Sequence, residues 1–420
     1  MKISRILRAA VLALCVSMFA HAAAAQESLN QATVGGRVTD PQGAGVPGAT
    51  VTARQTETNL TAETITGNDG RFRFPYLKIG PYDITVRLQG FAPATRPVAL
   101  TLGSAFDLSI ALSIESLATT VSVTADATVI ETARSQIAGT ITQTEVANLP
   151  MNGRNFLDLA LLVPGVSPPN ISSTQLFAET SAVPGVGISI GSQRNFSNSF
   201  IVDGLSANDD AAGLSGMPFG VDAVEQFQVV TSGGQAELGR ALGGYVNVVT
   251  KSGTNVSRRN LYGYFRDDRF NAPNVLLEQQ LGRGAKLPMS QQQYGGSLGG
   301  PIRKDRTFYF MNVEQRKLDQ TGLATVSQEN VNIINARLKA VGYPGAAVST
   351  GIYDNPVDSL NVLGKIDQQI SGADQLSVRY SLYNVTSDNS RGAGGLNAPS
   401  ASAGLDNRDQ GVAVGNTMSL

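Results

Sequence analysis

Apolar and polar residues alternate with a period of two through much of this chain, and the alternation comes in three styles. Between Thr33 and about Leu112 it forms short runs: TVGGRVTD, GATVTARQ, TAETITG, GRFRFPYL, YDITVRLQG and AFDLSIAL. The breakers DPQG, NDG and IGP fall between them. In YDITVRLQG, Tyr82, Ile84, Val86 and Leu88 point one way and Asp83, Thr85 and Arg87 the other, giving one buried and one wet face. About seven such strands in roughly 80 residues predict a small antiparallel, transthyretin- or immunoglobulin-like β-sandwich.

The second style is mixed. VEQFQVVTS and GYVNVVTK read as strands on either side of the Gly-rich SGGQAELGRALGG, and RNFLDLALLV reads as a short amphipathic helix closed by Pro164. Together they predict a compact α/β unit. The third style begins past Lys251, with longer strands near Arg258–Arg266, Gln292–Ile302, Arg306–Lys317, Asp358–Ile370, Gln375–Thr386 and Arg408–Met418. The connections alternate between long loops and the short turns RKD and SGAD, as in a membrane barrel with short periplasmic turns and long external loops. In LSVRYSLY, Leu376, Val378, Tyr380 and Leu382 suit lipid, while Ser377, Arg379, Ser381 and Tyr383 suit a polar lumen. A soluble β-domain with similar alternation is the plainer alternative.

Composition removes most catalytic readings. Lys2, Arg5 and Arg8 precede an apolar run, and HAAAAQ follows it, the order of a secretory signal peptide cut between Ala25 and Gln26. The one Cys (Cys15) and the one His (His21) lie in that leader, and there is no Trp. Ser-His-Asp and Cys-His catalysis and Cys/His zinc sites are therefore excluded from residues 26–420. No phosphate-binding Gly-rich loop is present. The mature balance, 29 basic against 33 acidic side chains, carries no basic stripe for nucleic acid. Two stretches can be turns or cation sites: NDG at Asn68–Gly70, which lacks calcium-loop spacing, and SFIVDGLSANDD, where Asp203, Asp209 and Asp210 can gather an oxygen-loving ion.

Residues 33–112, with GRVTDPQGAGVPGATVTA and TGNDGRFRFPYLKIGPYDITV, resemble the carboxypeptidase regulatory-like sandwich. VIETARSQIAGTITQTEVANLPMNGRNFLDLALLVPGV, SFIVDGLSAND and VEQFQVVTSGGQAELGRALGGYVNVVTKSG resemble the plug of TonB-dependent outer-membrane receptors. LPMNGRNFLDLALLVPGV is similar to the Oar-like branch, and QYGGSLGGPIRKDRTFYFMNVEQRK to the early barrel. The resemblance implies a mainly β, multi-domain chain: signal peptide 1–25, sandwich 30–113, linker 114–128, plug 129–255 and the first strands of an incomplete antiparallel barrel, 256–420. It also implies that the sequence is the N-terminal part of a longer receptor in the outer membrane of a Gram-negative-type bacterium, with sandwich and plug in the periplasm.

In that family the segment before the plug is the box on which TonB pulls, so Thr120, Val121, Ser122, Val123, Thr124 and Ala125 are the expected TonB contacts; a final strand or linker is the plainer reading. Asn152, Gly153, Arg154, Asn155, Asp203, Gly204, Gly244 and Asn247 are the plug landmarks, with Asp203-Gly204 a turn. The implied partners are a TonB-type energy-transducing protein, outer-membrane lipid and an unknown extracellular ligand, with no cofactor, no enzymatic role and no nucleic acid. The alternative is an adhesive or surface-organising barrel without transport.

Overall fold

Strands that alternate in polarity must bury one face, and this chain does so three times, each time against a different partner. The computed structural model of the chain describes residues 31–114, 136–151, 153–168, 187–209, 214–215, 218–234, 239, 241–372 and 374–418.

In the first unit the strands are β1 (Gln31–Thr39), β2 (Thr50–Gln55), β3 (Thr61–Ile65), β4 (Arg71–Lys78), β5 (Gly80–Arg87), β6 (Ala94–Leu100) and β7 (Ala105–Ala111). They form two sheets, ordered β4-β1-β7 and β3-β2-β5-β6. Tyr82, Ile84 and Val86 point inward with Val34, Val38, Phe72, Leu100 and Leu108, while Asp83 and Arg54 pair on the outside at 2.7 Å. One pairing departs from the antiparallel expectation: β1 and β7 run parallel, because the entering and leaving strands lie side by side in one sheet. Asn68–Gly70 is a tight turn closed by the Gly70 amide on the Gly67 carbonyl at 2.9 Å.

The middle unit contains β8 (Ile137–Ile141), helix α1 (Gln143–Asn148), β9 (Val166–Ser167), β10 (Ser189–Ile190), β11 (Asn198–Val202), β12 (Leu205–Ser206), β13 (Asn208–Asp209), β14 (Leu214–Ser215), β15 (Val224–Ser232) and β16 (Gly244–Thr250). Five of these strands make a sheet ordered β12-β11-β16-β15-β8, with β11 and β16 parallel. RNFLDLALLV forms a 3-10 helix, Phe156–Leu162, rather than an α-helix. Its four buried residues, Phe156, Leu157, Leu159 and Ala160, anchor it to the sheet within seven residues, too short a span for α-helical bonding to add much.

Helix α1 starts on a capping box. Thr142 accepts the Glu145 amide at its hydroxyl, and the Glu145 carboxylate accepts the Thr142 amide at 2.7 Å. Thr142→Ala is expected to cost about 1 kcal/mol locally, read as faster amide exchange over residues 143–148.

The third unit is one long sheet: β17 (Arg258–Asp267), β18 (Met289–Arg303), β19 (Thr307–Ala324), β21 (Val357–Ser371), β22 (Asp374–Arg391) and β23 (Ala403–Met418), paired in that order and antiparallel throughout. Strand β20 (Gly351–Asp354) pairs with the far end of β19. All six strands lie where the alternation predicts, and the sheet is open, with β17 and β23 at its two edges. The long connections carry helices α2 (Val275–Leu281) and α3 (Gln328–Ala340), which period-two reasoning does not reveal. Strands of 15 to 18 residues exceed the roughly 9–11 that a bilayer crossing requires. Leu261, Phe265, Tyr294, Met311, Val313, Ile366, Val412 and Val414 line the outer face. Gln291, Gln293, Asn312, Glu314, Lys365, Asp367, Arg379 and Ser381 are buried on the inner one.

Candidate functional site at the junction of the middle unit and the sheet

The five residues of β11 are all buried, and the strand reverses into β12 through a two-residue loop, Asp203-Gly204. Asp203 has φ 49° and Gly204 φ 84°. Two successive left-handed residues are the requirement of a tight hairpin whose twist matches its strands, and Asp-Gly meets it. The turn delivers the Asp203 carboxylate to the inner face of the long sheet.

There it accepts the Thr250 amide at 2.9 Å and the Thr250 hydroxyl at 2.7 Å. Lys365 Nζ of β21 stands 3.4 Å from Oδ1, and Arg379 Nη1 of β22 donates to Oδ2. Lys365 also donates to the Thr250 carbonyl and hydroxyl, each at 3.2 Å. All three charged side chains are nearly buried, with exposures of 13%, 7% and 10% for Asp203, Lys365 and Arg379. Burial alone would raise the Asp203 pKa; Lys365, Arg379 and the two Thr250 donors outweigh it and hold the carboxyl below its ordinary range. A carboxylate whose oxygens are engaged by two cations is an ion-pair partner rather than one arm of a cation site. Asp209 sits apart in β13, and Asp210 lies outside the described residues.

A second contact grows from the NGR turn. Gly153 and Arg154 have φ 88° and 54°, and Asn155 caps the 3-10 helix by accepting the Leu157 amide at 3.2 Å. The turn aims Arg154 at the wall. Its guanidinium donates to Asp222 at 2.8 Å and lies over the Tyr264 ring, 3.8 Å from the centroid, and near Tyr262. Asn260 of β17 donates to the same Asp222 at 2.7 Å, and the Tyr262 hydroxyl donates to Glu314 at 2.9 Å. Between the contacts the seam is apolar: Phe310 and Leu363 of the wall belong to the middle unit's own core. A void of about 10 Å³ beside Phe219, Asn312, Leu363 and Ser381 is at the lower limit for one water.

The other sequence-derived residues are scattered. Gly244 opens β16 opposite Asn198, where a Cβ would collide with the Val230 carbonyl and Ile190. Asn247 is buried mid-strand. Asn152, Thr120–Ala125, Ala25 and Gln26 lie outside the described residues. Lys365, Arg379, Asp222, Tyr262 and Tyr264 were not anticipated as site residues. The available signal was a cation among the lumen-facing positions of LSVRYSLY.

Two family models match the chain: a carboxypeptidase regulatory-like domain over residues 33–113 and an outer membrane beta barrel domain over residues 249–359. A curated relative, the TonB-dependent transporter Oar of Myxococcus xanthus, is 26% identical over 324 residues, covering 74% of this chain. The chain is similar to the TonB-dependent transporters. It spans 29% of the length of that relative. Among solved structures, the outer membrane transporter YddB of Escherichia coli is similar with a TM-score of 0.49 and 15% identity, over 68% of this chain and 37% of that one. The siderophore receptor PirA of Acinetobacter baumannii gives 0.41 and 20%, over 60% and 32%. In this chain Asp203 and Arg154 are polar holds of the middle unit on the long sheet, joined by the contact of Asn260 with Asp222.

Proposed function

We propose that the full-length protein carries an unidentified extracellular ligand inward across the outer membrane, with a TonB-type protein pulling Thr120–Ala125 to rearrange the plug. The division follows the sequence: sandwich 30–113, linker 114–128, plug 129–255, barrel from 256. The sandwich and the turns Arg303–Thr307 and Ser371–Asp374 face the periplasm, and the long loops that carry α2 and α3 face outward.

The observation that carries this reading is the Asp203–Lys365–Arg379 junction. A plug meant only to seal would gain more from an apolar seam, since well-packed hydrophobic residues often match or exceed a buried ion triad in stability. Charged holds resist while dry and lose strength when water enters, because their attraction falls with rising dielectric. That suits a plug that is seated firmly and released by force. The similarity to a TonB-dependent transporter supports the same reading.

Deleting Thr120–Ala125 in the full-length gene is expected to abolish ligand uptake while leaving the amount of receptor in the outer membrane unchanged. Undiminished uptake in that strain would remove the TonB role. Uptake in the intact strain is expected to collapse when the proton gradient is dissipated.

A further inference from the structure

We propose that the sandwich is a clamp on the plug: docked, it holds strand β15 in place, and the plug loosens when the sandwich swings away. This goes beyond the transport reading, which needs no role for residues 31–113.

Three sets of contacts carry the proposal. The first is the tip of the β6–β7 loop, which crosses from one sandwich sheet to the other. Leu102 lies in a loop and yet is fully buried, because the tip is inserted against the plug sheet. Its amide donates to the Gln226 side chain at 2.8 Å, and the Gln228 amide donates to its carbonyl at 2.8 Å. Gln226 and Gln228 are themselves buried residues of β15. At Gly103 a Cβ would come within 2.7 Å of the Gln228 side chain, so the backbones approach as closely as glycine allows. The second set grips the start of the barrel. Asn255 donates its amide to the Glu57 carbonyl at 2.9 Å, Arg258 pairs with the Glu57 carboxylate at 2.7 Å, and Asn59 and Asn255 both donate to Asp305 in the short β18–β19 turn.

The third set is electrostatic. Lys78 of the sandwich donates to Asp367 of β21 at 3.1 Å, and the Asp367 carboxylate is 3% exposed. Asp367 is two residues from Lys365 on the same inward face of the same strand, and Lys365 holds Asp203 of the plug. Lys78, Asp367, Lys365 and Asp203 thus form a row of alternating charge from sandwich through wall to plug. Withdrawing Lys78 leaves Asp367 to compete with Asp203 for Lys365. Undocking therefore acts on the plug twice, by uncovering β15 and by weakening the Asp203 junction.

The test uses the full-length receptor in liposomes, with spin labels at Ala99→Cys on β6 and Lys304→Cys in the short turn. Any cysteine outside residues 1–420 is replaced by serine; Cys15 is the only one within them. Lys78→Glu breaks the electrostatic contact, and Leu102→Asp independently expels the loop tip. Each is expected to lengthen and broaden the label distance and to speed amide exchange in β15 at least tenfold, while β2 and β5 stay protected because the sandwich remains folded. A third variant lacking residues 31–113 is expected to show the same β15 exchange. Unchanged β15 exchange in that variant, or a widened distance with unchanged β15 exchange in either point variant, overturns the clamp. A distance that stays at its starting value in both point variants overturns the assigned contacts.

Discussion

Asp203→Ala is expected to destabilise the plug by about 3–5 kcal/mol, the cost of leaving buried charges without their partner. Lys365 and Arg379 are no more than a tenth exposed, so water cannot take over the lost role without opening the seam. Thr250 loses the acceptor for both its amide and its hydroxyl at the same time. In the full-length receptor the loss is read from the urea midpoint for exposure of a thiol placed in β16. A midpoint unchanged from the parent would show that the junction does not hold the plug. Lys365→Ala on the Asp203→Ala background is expected to cost much less than Lys365→Ala alone, because residues sharing one network do not add.

The same carboxylate sets an acid limit with a definite sign. Its folded pKa is depressed, so the stability it supplies is fully present above the unfolded value, about pH 4, and is lost as pH falls through the lower folded value. Plug stability is expected to be insensitive to this group between about pH 5 and pH 8 and to decline only in stronger acid. Asp203→Asn removes that limb: it is weaker than the parent near neutrality and converges on it in acid.

Phe227→Ala should have an effect of similar size by a different route. Phe227 is fully buried in β15, and its ring meets Phe156 edge-on, with centroids 5.4 Å apart and an interplanar angle of 68°. Truncation leaves a cavity among Ile141, Val146, Phe156 and Val229, with an expected cost of about 3–5 kcal/mol. Exchange across β15 and β16 reports it. Leu242, 90% exposed on the same unit, serves as the control, since its truncation is expected to stay within about 0.5 kcal/mol.

The parts legible in the sequence are those governed by local chemistry. The long strands announce themselves because a wall with one apolar and one polar face must alternate, as Leu376 to Tyr383 does over eight residues. Asp203-Gly204 is legible as a turn because two left-handed residues need that chemistry whatever surrounds them. The parallel pairing of β1 with β7 is not legible, since it depends on where the chain returns after 70 residues rather than on either strand. Nor are the partners of Asp203, which stand 162 and 176 residues away in sequence. An aspartate among acidic neighbours invites a cation reading until the fold supplies Lys365 and Arg379. The 3-10 form of Phe156–Leu162 escapes for a related reason: its apolar spacing fits either helix, and the sheet beneath it decides.

The loop tip at Leu102 has a consequence for how such chains diversify. Gln226 and Gln228 grasp the main-chain amide and carbonyl of Leu102 rather than its side chain. The attachment to β15 therefore constrains a backbone shape and a bare position at Gly103, whereas the attachment to the long sheet depends on the side chains of Glu57, Asn59 and Lys78, so the two can change independently as such chains diverge.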